Sequence, residues 1–242
     1  TLTFDPTADP AIQFEVSPSS SALRFRGAET DPAQRLPDDP RENLVYRALE
    51  LLQQRSGSRL GGIATLPKRI PPVAGLGGGS SDAAAALAAA NIGWQLNWST
   101  EQLQSLAAEL GRDIPFFLSR RSGMSALAAV CRGRGELVEP VCIPGNMHFV
   151  VVRPTFGLST PDVYRHCTPN PQAKSSDELI HALADGDRQR AGSLMKNRLQ
   201  QAAVEVAPEV DETADDFSGL NPIAHQLSGS GSAYFELVCN RI

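Results

Sequence analysis

Pro71-Pro72-Val73-Ala74-Gly75-Leu76-Gly77-Gly78-Gly79-Ser80-Ser81-Asp82 runs directly into Ala83-Ala84-Ala85-Ala86-Leu87-Ala88-Ala89-Ala90. Alanine is the strongest helix former and its small side chain lets a neighbouring helix approach closely, so Ser81 to Ala90 is read as a helix. The glycines before it permit left-handed turns and leave backbone N–H groups without side-chain crowding. At a helix N-terminus such groups, with the positive end of the helix dipole, form an anion site suited to a phosphate chain. The hydroxyls of Ser80 and Ser81 can reach phosphate oxygens or a magnesium ion. A ligand-free turn is the alternative, but so many glycines ahead of a helix are costly unless something must approach. A Walker loop is excluded because no lysine follows the glycines, and a dinucleotide fingerprint because serine stands at its third glycine and no strand feeds it directly.

Working outward, Ile12, Phe14 and Val16 alternate with polar residues, and Leu23 and Phe25 do so again across serine-rich turns, which predicts a hairpin or meander. From Glu42 the period changes. Leu44, Val45, Ala48, Leu51 and Leu52 share one helical face behind the breaker Pro40. Gly61 to Leu66 reads as a short strand. Ser99 and Gln102 form a capping box for a helix whose apolar face is Leu103, Leu106, Ala107 and Leu110, with Gly111 at a left-handed stop. Met124 to Cys131 and Met147 to Val152 read as buried strands. Pro140 and Pro144-Gly145 mark a lobe boundary, dividing the chain into 1–144 and 145–242. In the second lobe a strand (147–153), helices at about 176–185 and 187–205 and a last strand from Ser232 to Val238 follow. The fold class is α/β (α+β), in two lobes.

The 242 residues carry a net charge of −5 and no apolar run near the ~20 residues a membrane span needs. That acidic balance argues against nucleic acid as a partner. Cys131, Cys142, Cys167 and Cys239 have no zinc-ligand spacing with one another or with the four histidines, and are read as reduced packing thiols. The first residues resemble no targeting peptide. A soluble cytoplasmic protein, monomer or homodimer, is expected.

Lys68-Arg69-Ile70-Pro71 with Ala74-Gly75-Leu76-Gly77-Gly78-Gly79-Ser80-Ser81-Asp82-Ala83-Ala84 resembles the ATP loop of the GHMP kinases. The triple glycine before Ser-Ser resembles the branch that phosphorylates the 2-hydroxyl of 4-diphosphocytidyl-2-C-methyl-D-erythritol in the non-mevalonate isoprenoid pathway. The resemblance continues in Glu42-Asn43-Leu44, in Gly111-Arg112-Asp113-Ile114-Pro115-Phe116-Phe117 and in Cys131-Arg132-Gly133-Arg134-Gly135-Glu136. It runs on through Ser159-Thr160-Pro161-Asp162-Val163-Tyr164, Asn197-Arg198-Leu199 and Ser228-Gly229-Ser230-Gly231-Ser232. It implies an N-terminal lobe of the ribosomal protein S5 domain 2-like type and a ferredoxin-like C-terminal lobe. It implies ATP and Mg²⁺ as cofactors and a cytidine diphosphate-linked methylerythritol as the small-molecule partner.

Residue by residue, the resemblance implies that Asp113 is the catalytic aspartate and meets the acceptor. Taken alone, an Asp before Ile-Pro reads as a helix N-cap. It implies that ATP is held by Asn43, Lys68, Pro71, Pro72, Val73, Ala74, Gly75, Leu76, Gly77, Gly78, Gly79, Ser80 and Ser81. The substrate side falls to Thr160, Pro161 and Tyr164, whose ring can stack on a base. Gly229, Ser230 and Gly231 would close the site from the second lobe. The magnesium ligands are unknown from sequence. The family's Lys-Ile-Asn-Leu-type and Gly-Tyr-His-Glu segments and its closing helix and strand do not occur here, so further chain at both ends is expected; Arg198 stands where the family often has Asp. A kinase of mevalonate, homoserine or a sugar, or a nucleotide-binding pseudokinase, is the alternative reading.

Overall fold

The computed structural model describes residues 2–17, 37, 39–119, 128–169, 175–219 and 222–238. The first sheet has three strands in the order β1-β3-β2: β1 (Thr3–Thr7), β2 (Ile12–Ser17) and β3 (Gly61–Pro67). β3 runs antiparallel to β1 and parallel to β2, so β1 and β2 are not a hairpin; the later strand is inserted between them. Glycine makes that insertion possible. A Cβ on Gly61 would stand 2.6 Å from the Pro10 carbonyl carbon, and one on Gly62 2.6 Å from the Phe4 ring. The proposed strand through Leu23 and Phe25 lies outside the described residues.

Helix α1 (Leu44–Ser56) starts two residues later than its pattern suggested, because a single 3-10 turn at Pro40–Glu42 precedes it and the Asn43 side chain caps it. Its buried face is Val45, Ala48, Leu49 and Leu52, with Leu49 replacing the expected Leu51 at the centre. Helix α2 spans Gly78–Gly93, not Ser81 to Ala90, so the last two of the three glycines form its first turn. α1 and α2 pack against each other, α1 also on β2 and α2 on β1. The buried alanines Ala83, Ala84, Ala86 and Ala90 give α2 the smooth face that close approach needs.

Helix α3 (Thr100–Leu110) carries the expected capping box between Ser99 and Gln102. Gly111 after it is extended, with φ −177°, so it is not a left-handed stop. A short helix α4 (Ile114–Leu118) follows at once, and Ile114 turns into the core between Leu103 and Leu106 of α3 and Leu87 of α2.

β4 (Ala128–Arg132) pairs with β5 (Leu137–Val141) in a two-stranded antiparallel ladder; the rest of the Met124–Cys131 strand reading lies outside the described residues. Pro140 is inside β5, paired with Ala129, so it does not mark a linker. A two-stranded ladder has only edges, where a missing N–H is tolerated. Pro144-Gly145 does lie between elements, and Gly145 is left-handed.

The third sheet has the order β6-β8-β7, all antiparallel: β6 (His148–Val152), β7 (Ala224–Leu227) and β8 (Tyr234–Val238). Between β6 and β7 come α5 (Thr160–His166), α6 (Asp177–Ala184), α7 (Arg188–Leu194), α8 (Leu199–Val206) and α9 (Glu209–Ser218). The single helix expected over 187–205 is therefore two, broken at Met195, which is extended. A second core gathers Leu158, Val163, Ala203, Val210, Phe217, Leu227 and Tyr234. Tyr234 is fully buried, its ring stacked on Phe217 at 5.4 Å and its hydroxyl accepting from Gln200 at 3.2 Å. The first core draws on residues up to Leu118 and the second on residues from Val150 onward. We expect Ala86→Leu, which adds three carbons to a closed helix contact, to cost about 1–3 kcal/mol of stability, read as a lowered urea midpoint.

Candidate active site

Three left-handed residues at alternate positions, Val73 (φ 53°), Gly75 (φ 71°) and Gly77 (φ 65°), shape the segment between β3 and α2. Alternation of this kind turns successive amides toward one side, the geometry of an anion-binding concavity. Gly77 is the N-cap of α2 and no side chain caps that end; the first intrahelical bond is donated by Ser81 N to the Gly77 carbonyl at 2.9 Å. The amides ahead of Ser81 are thus presented by the helix end, as the sequence suggested, with the site built into the first turn itself. Ser81 Oγ donates to the Gly78 carbonyl at 2.9 Å, which leaves the Ser80 hydroxyl as the better placed of the pair.

Each glycine of the loop has a different reason to be glycine. A Cβ on Gly75 would overlap the Ser228 carbonyl oxygen and stand 2.7 Å from that of Gly231. On Gly77 it would meet the Phe117 ring at 2.8 Å, and on Gly78 the Ile70 side chain at 2.7 Å. At Gly79 the nearest atom is Leu44 Cδ1 at 3.5 Å, an ordinary contact. The open approach therefore belongs to Gly79, beside Leu44, while Gly78 is buried against Ile70.

The loop is clasped from the second lobe. Ser228 Oγ donates to the Gly75 carbonyl at 2.9 Å, and Ala233 N donates to the Ala74 carbonyl at 3.0 Å. The turn between them, with Gly229 and Gly231 left-handed, is closed by Gly231 N donating to Ser228 O at 2.9 Å. The Ser228–Ser232 segment thus lies on the glycine loop. Thr160 Oγ1 is 2.8 Å from Ser230 Oγ, so this threonine steadies the turn.

Asp113 occupies the N-cap position of α4 but makes no capping hydrogen bond, and it is exposed. Its carboxylate is not spent on the helix. It lines a cavity of about 260 Å³ with Gly75, Leu76, Gly77, Phe116, Phe117, Cys131 and Ser228. Phe116 and Phe117 form an edge-to-face wall at 5.1 Å. The tip of the β4–β5 hairpin rests on this segment, since a Cβ on Gly135 would overlap the Arg112 carbonyl, and the hairpin brings Cys131 beside Asp113. Cys131 is exposed overall, yet partial burial, and then the Asp113 charge, push its thiol above the ordinary range.

The remaining expected residues divide. Lys68 Nζ is 2.5 Å from Asp82 Oδ2, with side chains only 13% and 22% exposed, so Lys68 is held at the root of α2. Asn43 Oδ1 accepts from Val45 N at 2.9 Å as the α1 cap, which sets Leu44 against Gly79. Pro71 and Pro72 lead into the loop half-buried. Pro161 opens α5 and Tyr164 lies farther along it, 52% exposed; neither lines the Asp113 cavity. Phe116, Phe117, Cys131 and Ser228 were quoted within motifs but not singled out as site residues. Phe116 and Phe117 lie next to Asp113 in sequence and Ser228 opens the Gly-Ser turn, whereas Cys131 comes to the site only through the β4–β5 hairpin. A larger surface cleft of about 630 Å³, bordered by Ala8, Pro10, Gln53, Gln54, Gly57, Ser58 and Arg59, shares none of these groups. Among the described residues no cluster of three or more His, Cys, Asp or Glu could hold a metal ion.

An anion cradle facing an uncommitted carboxylate is the arrangement of an enzyme that moves a phosphoryl group. Residues 43–133 match the family model of the GHMP kinases N terminal domain. The chain is 37% identical over 221 residues to 4-diphosphocytidyl-2-C-methyl-D-erythritol kinase of Pelotomaculum thermopropionicum, covering 90% of this chain and 72% of the relative. It is 34% identical over 230 residues to the protein of the same name from Carboxydothermus hydrogenoformans, covering 93% and 75%. Among solved structures, a 4-(cytidine 5'-diphospho)-2C-methyl-D-erythritol kinase superposes with a TM-score of 0.71 at 32% identity, over 98% of this chain and 75% of that one. Homoserine kinase from Cytophaga hutchinsonii shares the fold, with a TM-score of 0.67 at 18% identity over 97% of this chain and 74% of that one. The chain belongs to the GHMP kinases and, within them, to the 4-diphosphocytidyl-2-C-methyl-D-erythritol kinase family.

The loop geometry makes a paired prediction. Gly75→Ala meets two backbone carbonyls and a left-handed φ, and we expect a loss of about 2 kcal/mol or more. Gly79→Ala meets only an ordinary contact with Leu44 in a helical first turn, and should leave the unfolding free energy within about 0.5 kcal/mol of the parent or raise it.

Proposed function

We propose that the protein transfers the γ-phosphoryl group of ATP to the 2-hydroxyl of 4-diphosphocytidyl-2-C-methyl-D-erythritol. The observation that carries this reading is the single cavity joining Gly75 and Gly77 of the anion cradle to the Asp113 carboxylate. The amides of the α2 end and the helix dipole bind and orient the phosphate chain. Asp113 accepts the proton of the acceptor hydroxyl as its oxygen bonds to the γ-phosphorus and the bond from that phosphorus to the β–γ bridging oxygen breaks, leaving ADP. Phe116, Phe117 and the Ser228–Gly231 turn exclude water from that end of the site, which limits hydrolysis of ATP.

A magnesium ion fits this setting as a companion of the phosphates. It keeps mostly phosphate and water oxygens and needs few protein ligands. Ser80 supplies the hydroxyl at hand, and the ion, when bound, offsets the charge of the transferring group. Tyr164, exposed on α5, offers an aromatic face for the cytosine, and Thr160-Pro161 sets the start of that helix. Among the described residues no helix is long and apolar enough to cross a membrane. We place the protein in the cytoplasm as a monomer or homodimer acting on a small molecule.

The test is ADP release by the protein expressed from its complete gene, offered the cytidine substrate, mevalonate or homoserine. The cytidine substrate alone should drive release. Asp113→Asn should lower kcat by about 10²–10⁴-fold and leave the KM for ATP within about threefold. Release driven by another alcohol, or ATP binding without turnover, would overturn the assignment, and near-parental kcat in the mutant would reduce Asp113 to a helix start.

A further inference from the structure

Asn197 stands in the bend between α7 and α8 and makes three hydrogen bonds with one side chain. Its Oδ1 accepts from Leu199 N at 2.9 Å, capping the start of α8. Its Nδ2 donates to two carbonyls on the far side of the lobe, Leu227 O at 2.9 Å and Gly229 O at 2.7 Å. Those carbonyls bracket Ser228, whose hydroxyl holds the Gly75 carbonyl at 2.9 Å. A continuous path thus runs from the α7–α8 bend, through the 228–231 turn, to the loop that cradles the phosphates.

The geometry is demanding at its far end. Gly75 has no room for a side chain because the Ser228 and Gly231 carbonyls stand against it, so a small displacement of the turn is felt by the loop backbone directly. The turn contains two left-handed glycines, whose backbone freedom must be restrained from outside. Asn197 supplies that restraint with two donors placed on either side of Ser228, and Thr160 adds a third contact at Ser230.

We propose that Asn197 is a positioning residue for the phosphate loop, acting through the 228–231 turn. The proposal rests on reading that loop as the nucleotide cradle. Asn197→Asp separates its two jobs, because a carboxylate oxygen still caps Leu199 N while both donors are lost and a negative charge faces two carbonyl oxygens. Asn197→Ser, uncharged and too short to reach the turn while still able to cap, serves should N197D not fold.

Amide hydrogen exchange on the nucleotide-free protein reads the clasp through its two bonded amides, Gly231 N on the Ser228 carbonyl and Ala233 N on the Ala74 carbonyl of the loop, and ATP calorimetry on the parent reads the nucleotide assignment separately. In N197D we expect exchange at Gly231 and Ala233 to rise at least about tenfold while α1 keeps its parental protection, and ATP affinity to fall about tenfold with the KM of the acceptor unchanged. Unchanged exchange at these two amides, or a rise shared equally by α1, would overturn the proposal and leave Asn197 a local bend residue. Faster exchange there in N197D with no ATP binding by the parent would uphold the positioning role and defeat the nucleotide reading.

Discussion

The contact on which the arrangement turns is a backbone one, between Gly75 of the loop and the carbonyls of Ser228 and Gly231 in the opposite lobe. Nothing larger than hydrogen fits there. Because the two segments are more than 150 residues apart in sequence, this contact, with the Ser228 Oγ and Ala233 N hydrogen bonds beside it, fixes the lobes at the site. Glycine suits the left-handed backbone at 75 and 77; at 75 it also leaves room for the Ser228 and Gly231 carbonyls of the second lobe, and at 77 for the Phe117 ring of α4.

What the clasp sets in place is mainly electrostatic. An uncapped helix end is worth about 0.3–1 kcal/mol to a charge at an exposed surface, and up to about 2 kcal/mol when partly buried. The turn and the Phe116–Phe117 wall supply that partial burial. Asp113 adds a negative group to the same cavity. α4 grows from Ile114 and Pro115, both buried, and this fixes the backbone of the residue before them. Burial first, and then the charge of that carboxylate, raise the Cys131 thiol beside it.

Much of this was legible in the sequence where the signal is local. The capping box at Ser99, the apolar face of α1 and the glycines before an alanine helix all express rules that act within a few residues, and all appear in the structure. Nonlocal contacts account for the misreadings. β3 enters between β1 and β2 because Gly61 and Gly62 leave space for strands some fifty residues earlier, a fact that alternation cannot reveal. The helix over 187–205 is broken after Leu194, and in the bend the Asn197 side chain bonds carbonyls 30 and 32 residues away, contacts no local pattern shows. α2 begins three residues early because the chain trades the low helix propensity of two glycines for open amides at its end. Asp113 was visible only through family resemblance, since a lone aspartate before Ile-Pro carries the signature of a cap it does not form.

The central claim is that the amides at the start of α2 receive the phosphates of ATP. Nitrogen-15 amide spectra answer it directly, since glycine resonances are well separated and four glycines fall in the loop, at 75, 77, 78 and 79. Titration with a nonhydrolysable ATP analogue should give the largest shifts at Gly77, Gly78, Gly79 and Ser80, with smaller ones at Gly75 and Asp113. Shifts confined to the cleft by Ala8, Gln53 and Arg59, with the loop glycines unmoved, would contradict the account.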